Sequence, residues 1–433
     1  MMDDGSTGGW TRLQVLVIAL CVLVNALDGM DVMIISYVAP ALAQDWGVGF
    51  ATLGVVFSGG LGGMMVGCLV IAPLADVVGR RPVVIGALAV MTIGAVASGL
   101  VETVPQLVAA RVVTGLGIGT LLASIAALAS EYAPPGRRSL AIGLFQAGYP
   151  LGAVLTGLLS LWAIPALGWQ GTLIAAGVVS ALTLPVIAWL LPESVAFLEA
   201  RQPAGALARS NALRASMGWA PLTALPPRAP RGAGAGLGGL FAGGMWRPTL
   251  LLWVATLLGF AVLYFVTSWI PRLATAAGFS QSAALWAGSM FNLGGMVGGV
   301  AIGWLAIGRG IAGLIALFLT TCAALLMVFA QGLPLGILLV VVAGIGLTLQ
   351  GGFSGFYSLA AGLYPAAVRG TGVGWAVGVG RGGSVLGPLA GGLLLEADLP
   401  LWQVFGCFAA PLVIAGLLAM ATARAQRTIQ GGA

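Results

Sequence analysis

Runs of apolar residues broken only by short polar stretches occupy nearly the whole sequence, near 13–38, 51–75, 83–101, 105–130, 139–163, 171–191, 248–270, 282–306, 311–330, 334–362, 371–395 and 402–421. Each is long enough to cross a ~30 Å hydrocarbon core as a helix rising 1.5 Å per residue. Inside lipid every backbone N–H and C=O must be satisfied within the segment, which selects the α-helix for such runs. Only 7% of the chain is charged and 59% is hydrophobic, whereas a soluble domain is about a quarter charged. No soluble domain of ordinary size is left over. The first run is too long for the apolar core of a signal peptide and carries Asp28 and Asp31, so it reads as a retained first helix. The expectation is an all-α polytopic membrane protein with twelve transmembrane helices.

Arginine sets the orientation. With a cytoplasmic N-terminus, the inside segments hold Arg12, Arg80, Arg81, Arg137, Arg138, Arg201, Arg209, Arg214, Arg228, Arg231, Arg247, Arg309, Arg369, Arg424 and Arg427, and the outside segments hold Arg272 alone. That asymmetry is a strong positive-inside signal, and an even helix count places both termini in the cytoplasm. The longest break, 192–246, is rich in Pro, Gly, Ala and Arg, with a helical pattern around 195–217. It reads as a central cytoplasmic linker between a six-helix half at 1–191 and another at 247–433.

A shift of 231 positions aligns those halves without a gap. It pairs Gly63 with Gly294, Gly67 with Gly298, Leu74 with Leu305, Ala75 with Ala306, Gly115 with Gly346, Pro134 with Pro365, Arg138 with Arg369, Gly143 with Gly374 and Gly152 with Gly383. Glycine matches alone carry little weight among 69 glycines; agreement of Leu, Ala, Pro and Arg at one offset carries more. Two parallel, pseudo-symmetric six-helix bundles with a site near midplane between them is the architecture that such a repeat predicts.

The chain has no histidine, which excludes His-based metal sites and Ser-His or Cys-His nucleophile pairs. Cys21, Cys68, Cys322 and Cys407 lie far apart inside apolar runs and read as buried, reduced small hydrophobes. No metal cluster, soluble sensory domain or nucleic-acid surface is visible, so neither an enzyme nor a receptor is expected. The glycine series of the fourth run, Gly115, Gly117 and Gly119, lies inside an apolar segment with no preceding strand and indicates close helix packing, not a nucleotide loop.

Four charges within the spans carry the chemistry, because an ionised group in hydrocarbon must face a partner or an aqueous cavity. Asp28 and Asp31 share one face of the first helix, roughly 13 to 18 Å below its outer end, and Arg111 lies about 9 Å below the outer end of the fourth. A carboxylate–guanidinium cluster is feasible. A purely structural ion pair is the alternative, but two acids facing one base leave a carboxylate free to carry a proton. Arg381 falls close to midplane in the eleventh helix, in a half with no acidic residue inside any expected span. An unpaired guanidinium there calls for an anion, and a carboxylate matches its bidentate geometry. The repeat equivalents of Asp28, Asp31, Arg111 and Arg381 are Gly259, Val262, Val342 and Pro150, so charge is placed asymmetrically, as a substrate site requires. Aromatic and amide side chains available to complete a pocket are Tyr37, Gln146, Tyr149, Tyr264, Asn292, Gln350, Tyr357 and Trp375. Trp269, at a span end, reads as an interfacial anchor.

The loop after the second helix, Asp76-Val-Val-Gly79-Arg80-Arg81-Pro82, resembles the loop signature of the major facilitator superfamily, with Ala72 where a leading Gly is usual and Val77 where a basic residue is common. Glu131-Tyr-Ala-Pro134-Pro-Gly-Arg137-Arg138 resembles the motif that follows the fourth helix in the same superfamily. The resemblance implies that Asp76, Gly79, Arg80, Arg81, Glu131, Arg137, Arg138 and Arg369 belong to the gating apparatus. Physically, a carboxylate and guanidiniums at helix ends make charge-assisted hydrogen bonds that break when a bundle rocks. Asp28-Gly-x-Asp31 with Ala39-Pro40-Ala41-Leu42, Leu191-Pro192-Glu193-Ser194, Ser268-Trp269-x-Pro271, and Tyr364-Pro365-x-x-x-Arg369-Gly370-Thr371 running into Gly378-x-Gly380-Arg381 are similar to segments of the aromatic acid:proton symporters. Met30 stands where Phe is frequent in that family.

That resemblance covers essentially the whole chain. It implies proton-coupled import of a benzoate- or hydroxybenzoate-type anion across a bacterial cytoplasmic (inner) membrane by a monomer without cofactor, the proton being the coupling ion. It also implicates Asp28, Asp31 and the intramembrane arginines Arg111 and Arg381 in transport. Import of a non-aromatic dicarboxylate such as cis,cis-muconate and export of a drug or metabolite remain the alternatives. The fifth helix, Gly143 to Gly152, lacks the full Gly-x-x-x-Gly-Pro-x-x-Gly-Gly pattern of antiporters, which argues against export.

Overall fold

A computed structural model describes residues 9–134, 137–227, 237–241, 244–307, 309–364, 368–397 and 399–431, and among these every regular element is a helix. The first half contains α1 (Arg12–Trp46), α2 (Phe50–Val66), the short α3 (Ala75–Val78), α4 (Arg80–Ser98), α5 (Val104–Tyr132) and α6 (Arg138–Leu190). α7 (Val195–Arg201) and α8 (Ala206–Ser216) follow, and the second half contains α9 (Trp246–Ala276), α10 (Gln281–Leu305), α11 (Ile311–Phe329), α12 (Leu335–Leu363), α13 (Arg369–Glu396) and α14 (Leu401–Gly431). Among the described residues ten segments are long and apolar enough to cross a membrane. One of them, within α6, is broken at Gly168, whose φ of 70° lies in the left-handed region, giving the fifth and sixth crossings; α13 completes the twelve. The start of α1 and the end of α14 therefore share one face of the bundle, called here the termini face.

Local sequence sets the helix ends. Thr11 and Gln14 form a reciprocal capping box at the start of α1, and Gly47 ends it in the left-handed conformation. The second crossing is not uniform. A π-turn at Gly67–Ile71 and a 3-10 stretch at Ala72–Leu74, where Pro73 cannot donate a helical hydrogen bond, separate α2 from α3. Gly79, at φ 116°, then reverses the chain into α4.

The internal repeat holds at the level of contacts. A methyl group on Gly63 would meet the carbonyl of Val112, and one on Gly294 that of Ala343. Gly67 faces Leu116 as Gly298 faces Leu347, Gly115 faces Gly60 as Gly346 faces Phe291, and Gly152 faces Ala26 as Gly383 faces Leu257. Every partner in the second half stands 231 positions after its counterpart in the first. Small residues let these backbones approach where lipid offers no hydrophobic drive for association, so each half is tied internally by the same helix pairs.

The halves meet through α1 on α9, α2 on α13 and α6 on α10. Hydrogen bonds between the halves include Ser36 Oγ to the Thr267 carbonyl (3.2 Å), Gln281 Nε2 to the Tyr37 carbonyl (3.1 Å), Ser58 Oγ to the Val385 carbonyl (2.7 Å), and the Ala51 amide to Glu396 Oε2 (3.1 Å). Ser36 and Thr267 are repeat equivalents, so their bond lies on the pseudo-twofold axis. All four bonds lie between midplane and the face opposite the termini, which is the closed side. Trp269 differs from its expected role as an interfacial anchor: it has no exposed surface, packs edge-on against Phe57 of α2 at 5.0 Å, and donates to the Pro388 carbonyl.

Cys21 and Cys322 are buried as expected, but Cys68 is only partly buried and Cys407 is exposed on the apolar exterior. The stretch between the halves carries α7 and α8 on the termini face; Arg228, Arg231 and Pro365 lie outside the described residues.

Candidate functional site

Asp31 and Arg111 form a closed pair. Arg111 Nη1 lies 2.9 Å from Asp31 Oδ1 and Nη2 lies 2.5 Å from Oδ2, and Nη2 also reaches the Asp31 backbone carbonyl at 3.2 Å. The residues are 2% and 4% exposed. Such a bidentate, fully hydrogen-bonded geometry is what keeps a desolvated ion pair in place. Asp28, one turn earlier on α1, is also buried, but its Oδ1 has no hydrogen-bond partner. The absence of a side chain at Gly29, whose Cβ position would overlap the Tyr149 carbonyl, brings α1 against α6 and places Tyr149 beside Asp28.

Arg381 supplies the opposing charge from the second half. Gly383 and Gly387 let α13 approach the carbonyls of Leu257 and Ala261 on α9, and Gly380 makes room for the Phe260 ring. The side chain is 7% exposed and forms no ion pair among the described residues; Nε is buried without a hydrogen-bond partner and Nη1 rests on the Met64 sulfur of α2. The Tyr264 hydroxyl is within hydrogen-bonding range of the guanidinium, while Tyr357, Cys68 and Asp28 act on it electrostatically. Phe260 stacks parallel to Tyr264 at 6.2 Å and meets Phe353 edge-on at 4.6 Å, and Phe353 in turn meets Tyr357 at 5.6 Å. An aromatic wall thus flanks the guanidinium. Two acids and two bases are buried near midplane, one pair closed and the other held open across the halves.

The remaining candidates divide. Tyr37 is fully buried where α1 meets α6 and α10, its hydroxyl donating to the Ala153 carbonyl at 3.3 Å. Asn292 donates to the Gly288 carbonyl and keeps a buried carbonyl oxygen without a partner, and Gln350 packs on Gly295. Trp375 stacks on Trp253 at 5.8 Å and Gln146 is exposed; neither contact is with the Arg381 group.

On the termini face Arg80 pairs with Glu131, which accepts from Ser194 Oγ at 2.6 Å. Glu193 caps the start of α4 by accepting from the Arg80 amide at 2.9 Å and the Arg81 amide at 3.2 Å, and its carboxylate fills the space where a Cβ on Gly79 would sit. Arg81 donates to the Ala188 carbonyl. Asp76 offers its backbone carbonyl to Arg201 Nε at 2.6 Å, and Arg137 and Arg138 are exposed. The side chain of Arg369 lies outside the described residues. Glu193, Met64 and Cys68 were not among the expected site residues. Glu193 had a visible signal, an acid beside Pro192 at the end of a span; Met64 and Cys68 had none, since an apolar run hides which face meets the other half.

Comparison with known proteins gives three findings. Residues 21–388 match the Major Facilitator Superfamily. The gallate transporter of Pseudomonas putida is 34% identical over 95% of this chain and 92% of its own length, and the 4-hydroxybenzoate transporter PcaK of the same organism is 34% identical over 94% and 91%. Among solved structures, the proton:xylose symporter XylE superposes with a TM-score of 0.74 at 17% identity, covering 94% of this chain and 95% of that one. The last likeness concerns the fold alone.

Proposed function

The chain belongs to the major facilitator superfamily, whose members are transporters and not enzymes, and from that premise we propose that it imports a small aromatic carboxylate together with a proton. The observation that carries this reading is the open pair: Arg381, buried and without an ion-pair partner among the described residues, faces Asp28, buried and equally unpaired. A substrate carboxylate takes the guanidinium as a charge-assisted, bidentate partner, and the wall of Phe260, Tyr264, Phe353 and Tyr357 offers ring faces and hydroxyls to the substrate's own ring. The names of the relatives, gallate and 4-hydroxybenzoate transporters, support the same class of cargo.

Charge balance supports the coupling. Asp28, Asp31, Arg111 and Arg381 sum to zero, so an incoming carboxylate leaves one negative charge in excess in a low-dielectric site. A proton on Asp28, the acid not committed to Arg111, restores neutrality. Without it, moving an anion inward against an inside-negative potential costs about 2.3 kcal/mol per charge per 100 mV. In this reading the halves at 1–191 and 247–433 rock about the 192–246 linker, the termini face the cytoplasm of a bacterial inner membrane, and the monomer is the working unit. Asp31–Arg111 orients α1, and the Arg80, Glu131 and Glu193 cluster serves as the cytoplasmic latch.

Counterflow into proteoliposomes decides the matter. Benzoate, hydroxybenzoates and gallate exchange against a labelled aromatic acid and their amides do not, and an imposed inward pH gradient drives accumulation. Exchange of amides as fast as acids, exchange of cis,cis-muconate alone, or accumulation indifferent to the pH gradient overturns the proposal.

A further inference from the structure

Arg272 is the single arginine of the outer loops and span ends, and the Arg381 site makes no use of it. It sits near the outer end of α9, half-buried, with Nε shielded from solvent and without a hydrogen-bond partner, and no carboxylate pairs with it among the described residues. A ring from the opposite half covers it: the guanidinium carbon lies 4.9 Å from the centroid of Phe50, at the start of α2. The same ring lies 5.8 Å from the indole of Trp269. Trp269 and Arg272 are three residues apart on α9 and share one helix face. Phe50 is therefore an aromatic ring held between an indole and a guanidinium that both belong to the second half.

The contact exists only while the outer side is closed. Phe50 travels with α2, whose first turn is held to the second half by Glu396, the carboxylate that accepts from the Ala51 amide and fills the space beside Gly49. When the halves part on this side, α2 carries Phe50 away and leaves the indole and the guanidinium on the second-half wall of the opened mouth, Arg272 without an ion-pair partner among the described residues and Glu396 released from the Ala51 amide. A ring bearing a carboxylate has the chemistry to replace Phe50: the ring face takes the indole and the carboxylate takes the guanidinium. Reclosure then returns Phe50 to the same space, so ring and gate compete for one place and closing displaces the ring towards Arg381.

We infer that Trp269 and Arg272 form an outer docking site for the aromatic carboxylate, occupied by Phe50 whenever the outer gate is shut. The inference rests on the proposed import of an aromatic acid, and the test separates the two. Equilibrium dialysis of the purified full chain with labelled 4-hydroxybenzoate is expected to give one equivalent bound to the natural sequence, two to Phe50→Ala, and one again to the double variant Phe50→Ala/Arg272→Gln. Labelled 4-hydroxybenzamide adds no second equivalent. If the natural sequence binds none, the import reading itself falls; if it binds one and Phe50→Ala also binds one, the outer site falls.

Transport supplies a readout that a merely structural arginine does not move. In proteoliposomes Arg272→Gln lowers initial uptake at subsaturating substrate about tenfold, Arg272→Lys recovers part of it, and the final accumulation under a fixed pH gradient is unchanged, because a docking site alters encounter and not the driving force. Unchanged initial uptake, or a fall in final accumulation showing that the variant leaks, overturns the site.

Discussion

Asp31 gives both carboxylate oxygens to Arg111, and that exclusive pairing leaves Asp28, one turn away, as the uncommitted acid of α1. Removing one partner of a buried pair leaves an uncompensated charge, at a cost of about 3–5 kcal/mol. Arg111→Gln and Asp31→Asn should each lower the thermal unfolding midpoint of the detergent-solubilised protein, and the double variant should recover most of the loss. Single variants as stable as the parent would show that the pair does not hold α1 in place.

Asp28→Asn should behave differently. With no hydrogen-bond partner at its Oδ1, the amide replaces the acid with little effect on stability, while binding of the aromatic acid loses its pH dependence. Substrate exchange between the two sides persists, but pH-driven accumulation and sensitivity to a protonophore disappear. Retained pH-driven accumulation in Asp28→Asn would remove this residue from the coupling step.

Arg381→Ala should cost roughly 2–5 kcal/mol of binding, the loss for truncating one partner of a buried charge-assisted contact. Isothermal titration with the aromatic acid measures it. Arg381→Lys should regain only part, because an ammonium cannot present the planar fork. Affinity unchanged in Arg381→Ala would place the carboxylate elsewhere.

The repeat glycines divide into two groups that a stability assay can tell apart. A methyl group on Gly115 would overlap the carbonyl of Gly60, and one on Gly346 that of Phe291, whereas Gly143 and Gly374, also repeat equivalents, have nothing within 4 Å. Gly115→Ala and Gly346→Ala should reduce the yield of folded protein sharply. Gly143→Ala and Gly374→Ala should be neutral or gain up to about 1 kcal/mol from helix propensity. Equal tolerance in the two groups, by size-exclusion chromatography of fluorescent fusions, would contradict the packing.

Loss of the cap on α4 is the last measurable quantity. Glu193→Ala removes the acceptor of the Arg80, Arg81 and Ser194 amides and should cost about 1–3 kcal/mol, read as a lower unfolding midpoint, with Glu193→Gln intermediate. An unchanged midpoint in Glu193→Ala would show that α4 needs no such cap.

The scaffold was legible because hydrophobic runs report helices directly and one gapless offset pairs residues of several types. The buried charges were legible because an ionised group inside an apolar run has few structural explanations. Their partners were harder to read. Asp28 and Asp31 lie on one face at similar depth, and only the rotation of α1 against α5 decides which meets Arg111. Trp269 was misplaced for a simple reason: the apolar run ends near 270 while the helix continues to Ala276, which moves the indole from a span end into the interface between halves. Glu193 required tertiary information, since the amides that it caps lie more than a hundred residues earlier.

The matched glycine contacts also bear on how such a chain changes over generations. Backbone touches backbone in the same places in both copies, as expected if a single ancestral six-helix gene was duplicated and joined, and these places accept almost no side chain in either copy. Between the halves, apart from the close backbone approach of Gly54 to Pro388 and Gly392, contacts such as Phe50 on Trp269 and Met64 under Arg381 are made by side chains, which a single nucleotide change can exchange without disturbing the packing inside a half. New cargo preferences should therefore arise mainly on the surfaces between the copies, and a library randomised there should retain far more folded members than one randomised along the glycine seams.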